Sequence, residues 1–146
     1  MRLLNLHFYH STQQEKYATL FLAHYDATTR MLRYSNGGQL PPLVLHADGS
    51  IRRLDRGGTV VGLLDNMEYE EDAVTLNSGD LLIAYSDGVT EPENEFGDFG
   101  EARMVELIRS NRHLPLDEIS NRIVKALEDW IGAEEQPDDI TLVLAR

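Results

Sequence analysis

An α+β fold is predicted, with helices packed on one face of a mostly antiparallel sheet and the last strand returning among the earlier ones. Three observations carry this. Short β-rich segments separated by glycine and asparagine turns run as far as Ser86, two helical periodicities follow between Glu101 and Ile131, and an apolar run, Ile140-Thr141-Leu142-Val143-Leu144, closes the chain.

Leu3-Leu4-Asn5-Leu6-His7-Phe8-Tyr9 has no convincing period and reads as the last turns of a helix. The β-branched and aromatic content from Tyr17 to Asp26 predicts a strand, which Ala27-Thr28-Thr29 turns into a second one from Arg30 to Ser35. Asn36-Gly37-Gly38-Gln39-Leu40-Pro41-Pro42 is a loop. Leu43-Val44-Leu45 and Ile51-Arg52-Arg53-Leu54 then flank an Asp48-Gly49 turn as a second hairpin. After Arg56-Gly57-Gly58 and Gly62 interrupt the chain, Tyr69 to Leu76 and Leu81 to Ser86 flank Asn77-Ser78-Gly79-Asp80 as two more strands of the same antiparallel sheet. Glu91 to Gly100 is polar and glycine-containing, so a loop is expected before the helix that starts at Glu101 and ends near Asn111. Leu116, Ile119, Ile123, Leu127 and Trp130-Ile131 recur at intervals of three and four, with Pro115 at the start and Gly132 just past the end, which makes a second helix whose Trp130 belongs to the core. Ala133-Glu134-Glu135-Gln136-Pro137 is a loop into the final strand.

At 146 residues the chain is expected to be a single domain, 1–146, large enough for a real core. Its 13 Lys+Arg against 25 Asp+Glu give a net charge of −12, and no basic cluster is present, so no nucleic acid partner is expected. The same acidity opposes an anionic substrate unless bound divalent cations supply local positive charge. With no cysteine, disulfides, thiolate zinc sites and cysteine nucleophiles are excluded. No apolar run approaches the roughly 20 residues of a membrane helix, and no signal-peptide core opens the chain, so no membrane insertion and a cytoplasmic location are expected. No dinucleotide or P-loop glycine pattern follows a strand.

Two aspartates stand out. Asp87 directly follows the run Leu81-Leu82-Ile83-Ala84-Tyr85-Ser86, and Asp138 directly precedes the closing run. A carboxylate at the mouth of a buried strand is costly to desolvate unless a cation, a proton or several donors compensate it, so two from distant parts of the chain point to a shared hard-metal site. Taken alone, Ser86-Asp87-Gly88 reads more readily as a turn and Asp138-Asp139 as a solvated acidic pair. Context favours the site, because an ordinary hairpin would return at once, whereas this chain enters a long loop and a helix. Gly88 allows close backbone approach. Neighbouring residues at a strand entrance face opposite ways, so Asp138 is assigned to the site and Asp139 to local backbone hydrogen bonding or outer support. Asp80 is left to turn chemistry, Glu91 is left out, and Ser86 and Ser110 have no base partner. His7, His10, His24, His46 and His113 have no ligand spacing.

Read together, Leu32-Arg33-Tyr34-Ser35-Asn36-Gly37-Gly38-Gln39-Leu40-Pro41-Pro42, Gly79-Asp80 with Tyr85-Ser86-Asp87-Gly88-Val89-Thr90-Glu91, Phe99-Gly100 and Asp138-Asp139-Ile140-Thr141 resemble, in order and spacing, the bacterial SpoIIE/RsbU-like branch of the metal-dependent (PPM, type 2C-like) serine/threonine protein phosphatases. The resemblance runs from about Tyr17 to Arg146. It implies a layered α-β-β-α sandwich in which two Mn²⁺ or Mg²⁺ ions activate a water for attack on phosphoserine or phosphothreonine. It makes Asp87 and Asp138 metal ligands, Gly88 the small residue beside the first, and Asn36 the loop residue of an Asn-Ala-Gly-His motif. It also implies a phosphorylated protein substrate in bacterial signalling, such as an anti-sigma-factor antagonist, and a sensor or receiver domain upstream.

Two departures qualify the match. Gly37 and Gln39 stand where the family has alanine and histidine, and no Gly-Asp…Asp motif precedes Tyr17 to supply the bridging ligands. Two carboxylates carry −2 against the +4 of two divalent ions, so the chain alone is expected to bind the pair poorly. It is accordingly read as the C-terminal portion of a larger phosphatase domain, with an exposed apolar face or sheet edge through which the fragment self-associates. The competing readings are a non-catalytic regulatory or protein-interaction domain with a phosphatase-like fold, and an unrelated acidic α+β binding domain.

Overall fold

A computed structural model describes residues 1–12, 16–132 and 138–146. The loop expected over 133–137 lies outside them. The chain divides into two compact units, Met1–Pro41 with Arg52–Ser78, and Pro42–Ile51 with Gly79–Arg146.

The first unit opens on helix α1 (Arg2–Ser11), whose buried residue is polar: Asn5 donates through Nδ2 to the Leu64 carbonyl (2.7 Å) and accepts from the Gly62 amide (2.8 Å) and the Tyr69 hydroxyl (3.1 Å). An amide in place of an apolar stripe holds this helix, which is why its sequence has no clear period. Strands β1 (Leu20–Asp26) and β2 (Met31–Gly37) form the expected hairpin, in register from Leu20↔Gly37 to Asp26↔Met31. Its turn is held by Asp26, whose Oδ1 accepts the Thr28 amide (2.8 Å).

The second hairpin pairs β3 (Leu43–Leu45) with β4 (Ile51–Arg53). Two residues of β5 (Gly57–Gly58) run parallel to β2, the one parallel pairing among the described strands, and β6 (Asp72–Thr75) pairs antiparallel with β2. The expectation of one continuous sheet is corrected here. β6 belongs to the sheet of β1, β2 and β5, whereas β7 (Leu81–Tyr85) lies in a second sheet ordered β10-β7-β3-β4, so the Asn77–Asp80 turn carries the chain between sheets and closes no hairpin.

The second unit continues with a one-turn helix α2 (Asp87–Thr90) and, inside the stretch from Glu91 to Gly100 expected as loop, a small hairpin, β8 (Glu93–Asn94) with β9 (Gly97–Asp98). Helix α4 (Leu116–Ile131) has the predicted bounds, and α3 (Gly100–Asn111) starts one residue before the expected Glu101. Pro115 starts α4 with Asp117 and Glu118 in its first turn, where they oppose the helix dipole, and Gly132 ends it at φ 68° with its amide on the Glu128 carbonyl. The returning strand β10 (Leu142–Ala145) pairs antiparallel with β7 at the end of the sheet, not between two earlier strands. Both helices pack on one face of this sheet: Met104, Ile108, Ile119, Ile123 and Leu127 meet Leu43, Leu45, Leu81 and Ile83, all fully buried. Trp130 packs at the margin of that core, under the Arg103 guanidinium (4.0 Å to the ring centroid).

Among the described residues no helix is long and apolar enough to cross a membrane. Several large apolar side chains are exposed, among them Leu22 and Tyr25 on β1, Leu3 on α1, Phe96 between β8 and β9, and Val143 on β10.

Candidate functional site

The end of β7 and the approach to β10 carry the two aspartates, and the strand register brings their segments side by side. The ladder begins at Leu142↔Tyr85. One residue beyond it, the Ser86 amide donates to the Thr141 carbonyl (3.0 Å), the Thr141 amide donates to Ser86 Oγ (2.9 Å), and Ser86 Oγ donates to the Asp139 carbonyl (3.0 Å). Gly88 completes the contact: a Cβ there would stand 2.4 Å from the Asp139 carbonyl oxygen and 3.2 Å from that of Asp138, so only glycine lets these backbones meet.

Asp87 begins α2 with its carboxylate exposed, Oδ1 accepting the Gly88 amide (3.0 Å) while its main-chain carbonyl accepts the Glu91 amide (2.8 Å). Asp138 is likewise exposed, with Oδ1 on the Asp139 amide (2.7 Å). The structure thus gathers four of the five residues named from sequence, Asp87, Gly88, Asp138 and Asp139, about one backbone contact. Asp139 enters it through main-chain atoms, accepting from Ser86 and donating to Asp138.

Exposed carboxylate oxygens are the hard donors that Mn²⁺ and Mg²⁺ take, and they lie at a strand end where solvent supplies further ligands, so these residues fit a divalent cation in kind. They do not complete a shell. Among the described residues no group of three or more His, Cys, Asp or Glu side chains could hold a metal ion.

The fifth residue, Asn36, belongs to the first unit and organises its own loop. It is buried, its Oδ1 accepts the Gln39 amide (2.8 Å), and its Nδ2 donates to the carbonyls of Gln39 (2.9 Å) and Leu54 (3.3 Å). Its main chain is equally confined, since a Cβ on Gly57 would stand 1.8 Å from the Asn36 carbonyl oxygen. Gln39, where the family motif has histidine, accepts from the Thr19 hydroxyl through Oε1 (2.7 Å). Asn36→Ala leaves these buried partners unpaired and is expected to cost about 1–3 kcal/mol, read as a lower urea midpoint.

Two residues do more than their sequence context implied. Asp80 is buried and exceeds turn chemistry: its oxygens take the Ala47 amide (2.8 Å) and His46 Nδ1 (2.9 Å), tying the end of β3 to the start of β7, and Arg112 braces the same corner through the carbonyls of Ala47 and Gly79. Ser86, which sequence context leaves without a role, is the second. Its hydroxyl is engaged, but with partners 53 and 55 residues away, which local pattern does not reveal.

The family model described as Stage II sporulation protein E (SpoIIE) matches residues 1–146. Protein IcfG of Synechocystis sp. (strain ATCC 27184 / PCC 6803 / Kazusa) is 35% identical over 130 residues, 87% of this chain and 20% of that protein. Phosphoserine phosphatase RsbU of Bacillus subtilis (strain 168) is 26% identical over 134 residues, 89% of this chain and 39% of that protein. The chain therefore spans well under half of these relatives. Among solved structures, the SiaA-PP2C domain of Pseudomonas aeruginosa superposes with a TM-score of 0.74 at 23% identity, over 88% of this chain and 51% of that one. The catalytic domain of the serine threonine protein phosphatase PstP in complex with two manganese ions gives 0.68 at 16% identity, over 98% and 66%. These last two show a shared fold.

Proposed function

We propose, from the premise that this chain belongs to the SpoIIE family, that it is the C-terminal portion of a metal-dependent serine/threonine protein phosphatase domain and contributes Asp87 and Asp138 to its cation site. The observation that carries the proposal is the contact of Ser86-Asp87-Gly88 with Asp138-Asp139, which joins two hard-donor segments from distant parts of the chain. Relatives that include a phosphoserine phosphatase, and a fold neighbour holding two manganese ions, support the same reading.

In this reading Asp87 and Asp138 hold Mn²⁺ or Mg²⁺, with further ligands supplied from outside the described residues. When bound, the cations supply an acidified water and neutralise charge on a phosphoryl group. The chain's own part is placement. Gly88 keeps the two backbones in contact, and Asp139 supports Asp138 by donating its amide to the ligand carboxylate. Exposure leaves both carboxylates open to a phosphoprotein. The substrate we propose is a phosphorylated regulatory protein of the anti-sigma-factor-antagonist kind in bacterial signalling, delivered under control of a sensor or receiver domain upstream, in the cytoplasm. Self-association of the isolated chain through its exposed apolar side chains is part of the proposal, and a strictly monomeric mass by light scattering over a wide concentration range refutes that part.

The test is phosphate release from a phosphoserine peptide with Mn²⁺, by this chain and by a form extended upstream to include a Gly-Asp…Asp motif. Turnover by the extended form and little by the chain alone is the expected result. A second reading, a non-catalytic interaction domain with the phosphatase fold, is favoured by the absence of a three-ligand group among the described residues and by Gln39 in place of histidine. An inactive extended form that binds a phosphoprotein without Mn²⁺ would establish it.

A further inference from the structure

We infer that Ser86 is a positioning residue, whose hydroxyl clamps the segment 138–141 against Asp87-Gly88 and so sets the geometry at which both carboxylates meet one cation site. The inference rests on the reading of Asp87 and Asp138 as ligands. A serine at the N-cap of a helix ordinarily turns its oxygen onto an amide of the first turn. Ser86 occupies the N-cap of α2 and makes no such bond. Its hydroxyl crosses instead to the other segment, and both its functions are used there: the O–H donates to the Asp139 carbonyl and a lone pair accepts the Thr141 amide.

The position matters because the β7–β10 ladder stops at Tyr85↔Leu142, leaving 138–141 without strand register. Three hydrogen bonds from this single residue take over where the ladder ends: its amide and its hydroxyl each bond Thr141, and the hydroxyl also bonds the carbonyl of Asp139, the residue next to Asp138. Asp87 needs no such help, since it is the neighbour of Ser86 and its carbonyl is tied to the Glu91 amide within α2. The hydroxyl therefore acts on the segment that carries Asp138. An outer group of this kind typically changes metal affinity 10- to 100-fold when removed.

The test titrates Mn²⁺ alone into the ¹⁵N-labelled domain extended upstream to include a Gly-Asp…Asp motif and follows paramagnetic broadening of the amides of 87–89 and 139–141, a readout independent of turnover. In the wild type both segments should broaden at one common Mn²⁺ concentration. Ser86→Ala should raise that concentration about tenfold, and Ser86→Thr, which keeps the hydroxyl, should restore it. Ile119→Val, a core change of comparable destabilisation remote in sequence from both segments, should leave it unchanged. If Ser86→Ala broadens like the wild type while Asp87→Asn loses broadening at both segments, the clamp is overturned and the ligand reading stands. An equal shift in Ile119→Val also overturns the clamp, by making general stability the cause. If the wild type does not broaden, or Asp87→Asn leaves 139–141 broadening intact, the ligand reading itself fails and takes the clamp with it.

Discussion

If Asp87 is the metal ligand proposed above, Asp87→Asn should reduce Mn²⁺-dependent phosphate release by the upstream-extended domain by at least about 100-fold, the upper end of what outer partners cost, because it then removes a ligand and not its support. Its metal-free stability should stay within about 0.5 kcal/mol of the wild type. Both expectations come from the same local facts. The carboxylate is exposed, and its recorded partner is the adjacent Gly88 amide, which an asparagine oxygen accepts equally well. What the substitution removes is the negative charge and one hard oxygen, and only a cation would register that loss. Turnover and urea midpoint measured on one preparation decide the matter. Retained turnover refutes the assignment of Asp87, and a large fall in the midpoint shows that the carboxylate is structural.

Gly88→Ala should fail in the opposite manner, losing stability and cation binding together. Its methyl group would stand 2.4 Å from the Asp139 carbonyl oxygen and 2.9 Å from the carbonyl carbon, inside contact distance of main-chain atoms that have no rotamer to escape into. Either α2 tilts away from the end of β7, or residues 138–141 move off and break the bonds to Ser86. Overpacking of this kind costs about 1–3 kcal/mol, and the upper half of that range is expected because the obstacle is backbone. Urea unfolding gives the first quantity and Mn²⁺ broadening of the amides the second. A Gly88→Ala chain as stable as the wild type would mean that the two segments are not in contact in solution.

Those two outcomes separate what is local from what is not. The helices were legible because periodicity and capping are local: Ile119, Ile123 and Leu127 repeat along one face of α4, and Pro115 and Gly132 bound it. The strands of the two first hairpins were legible for the same reason. α1 was legible only as the end of a helix, and what seats it was not, because its buried position is Asn5, whose three partners lie 57 to 64 residues away. Nor was the division between sheets. The turn Asn77–Asp80 looks like any hairpin turn, and what distinguishes it is that Val74 finds its partner in Leu32 while Leu81 finds its own in Leu45.

The candidate site divides along the same line. By itself the sequence determined the chemistry on offer, since an acidic chain without cysteine or spaced histidines leaves hard carboxylates as its metal donors, and it determined their places at the two strand ends. It also determined the family, because four short motifs in order are a one-dimensional signal. Only the tertiary structure decided that the Ser86 hydroxyl bonds Asp139 and Thr141 and not its own helix, that Asp80 is a buried staple for His46 and Ala47, and that Gly88 is required by a backbone 50 residues further on. The physical reason is that a hydroxyl, a carboxylate or a missing Cβ carries no record of its partner. Its role is set by whatever the fold places within about 3 Å of it, the reach of a hydrogen bond.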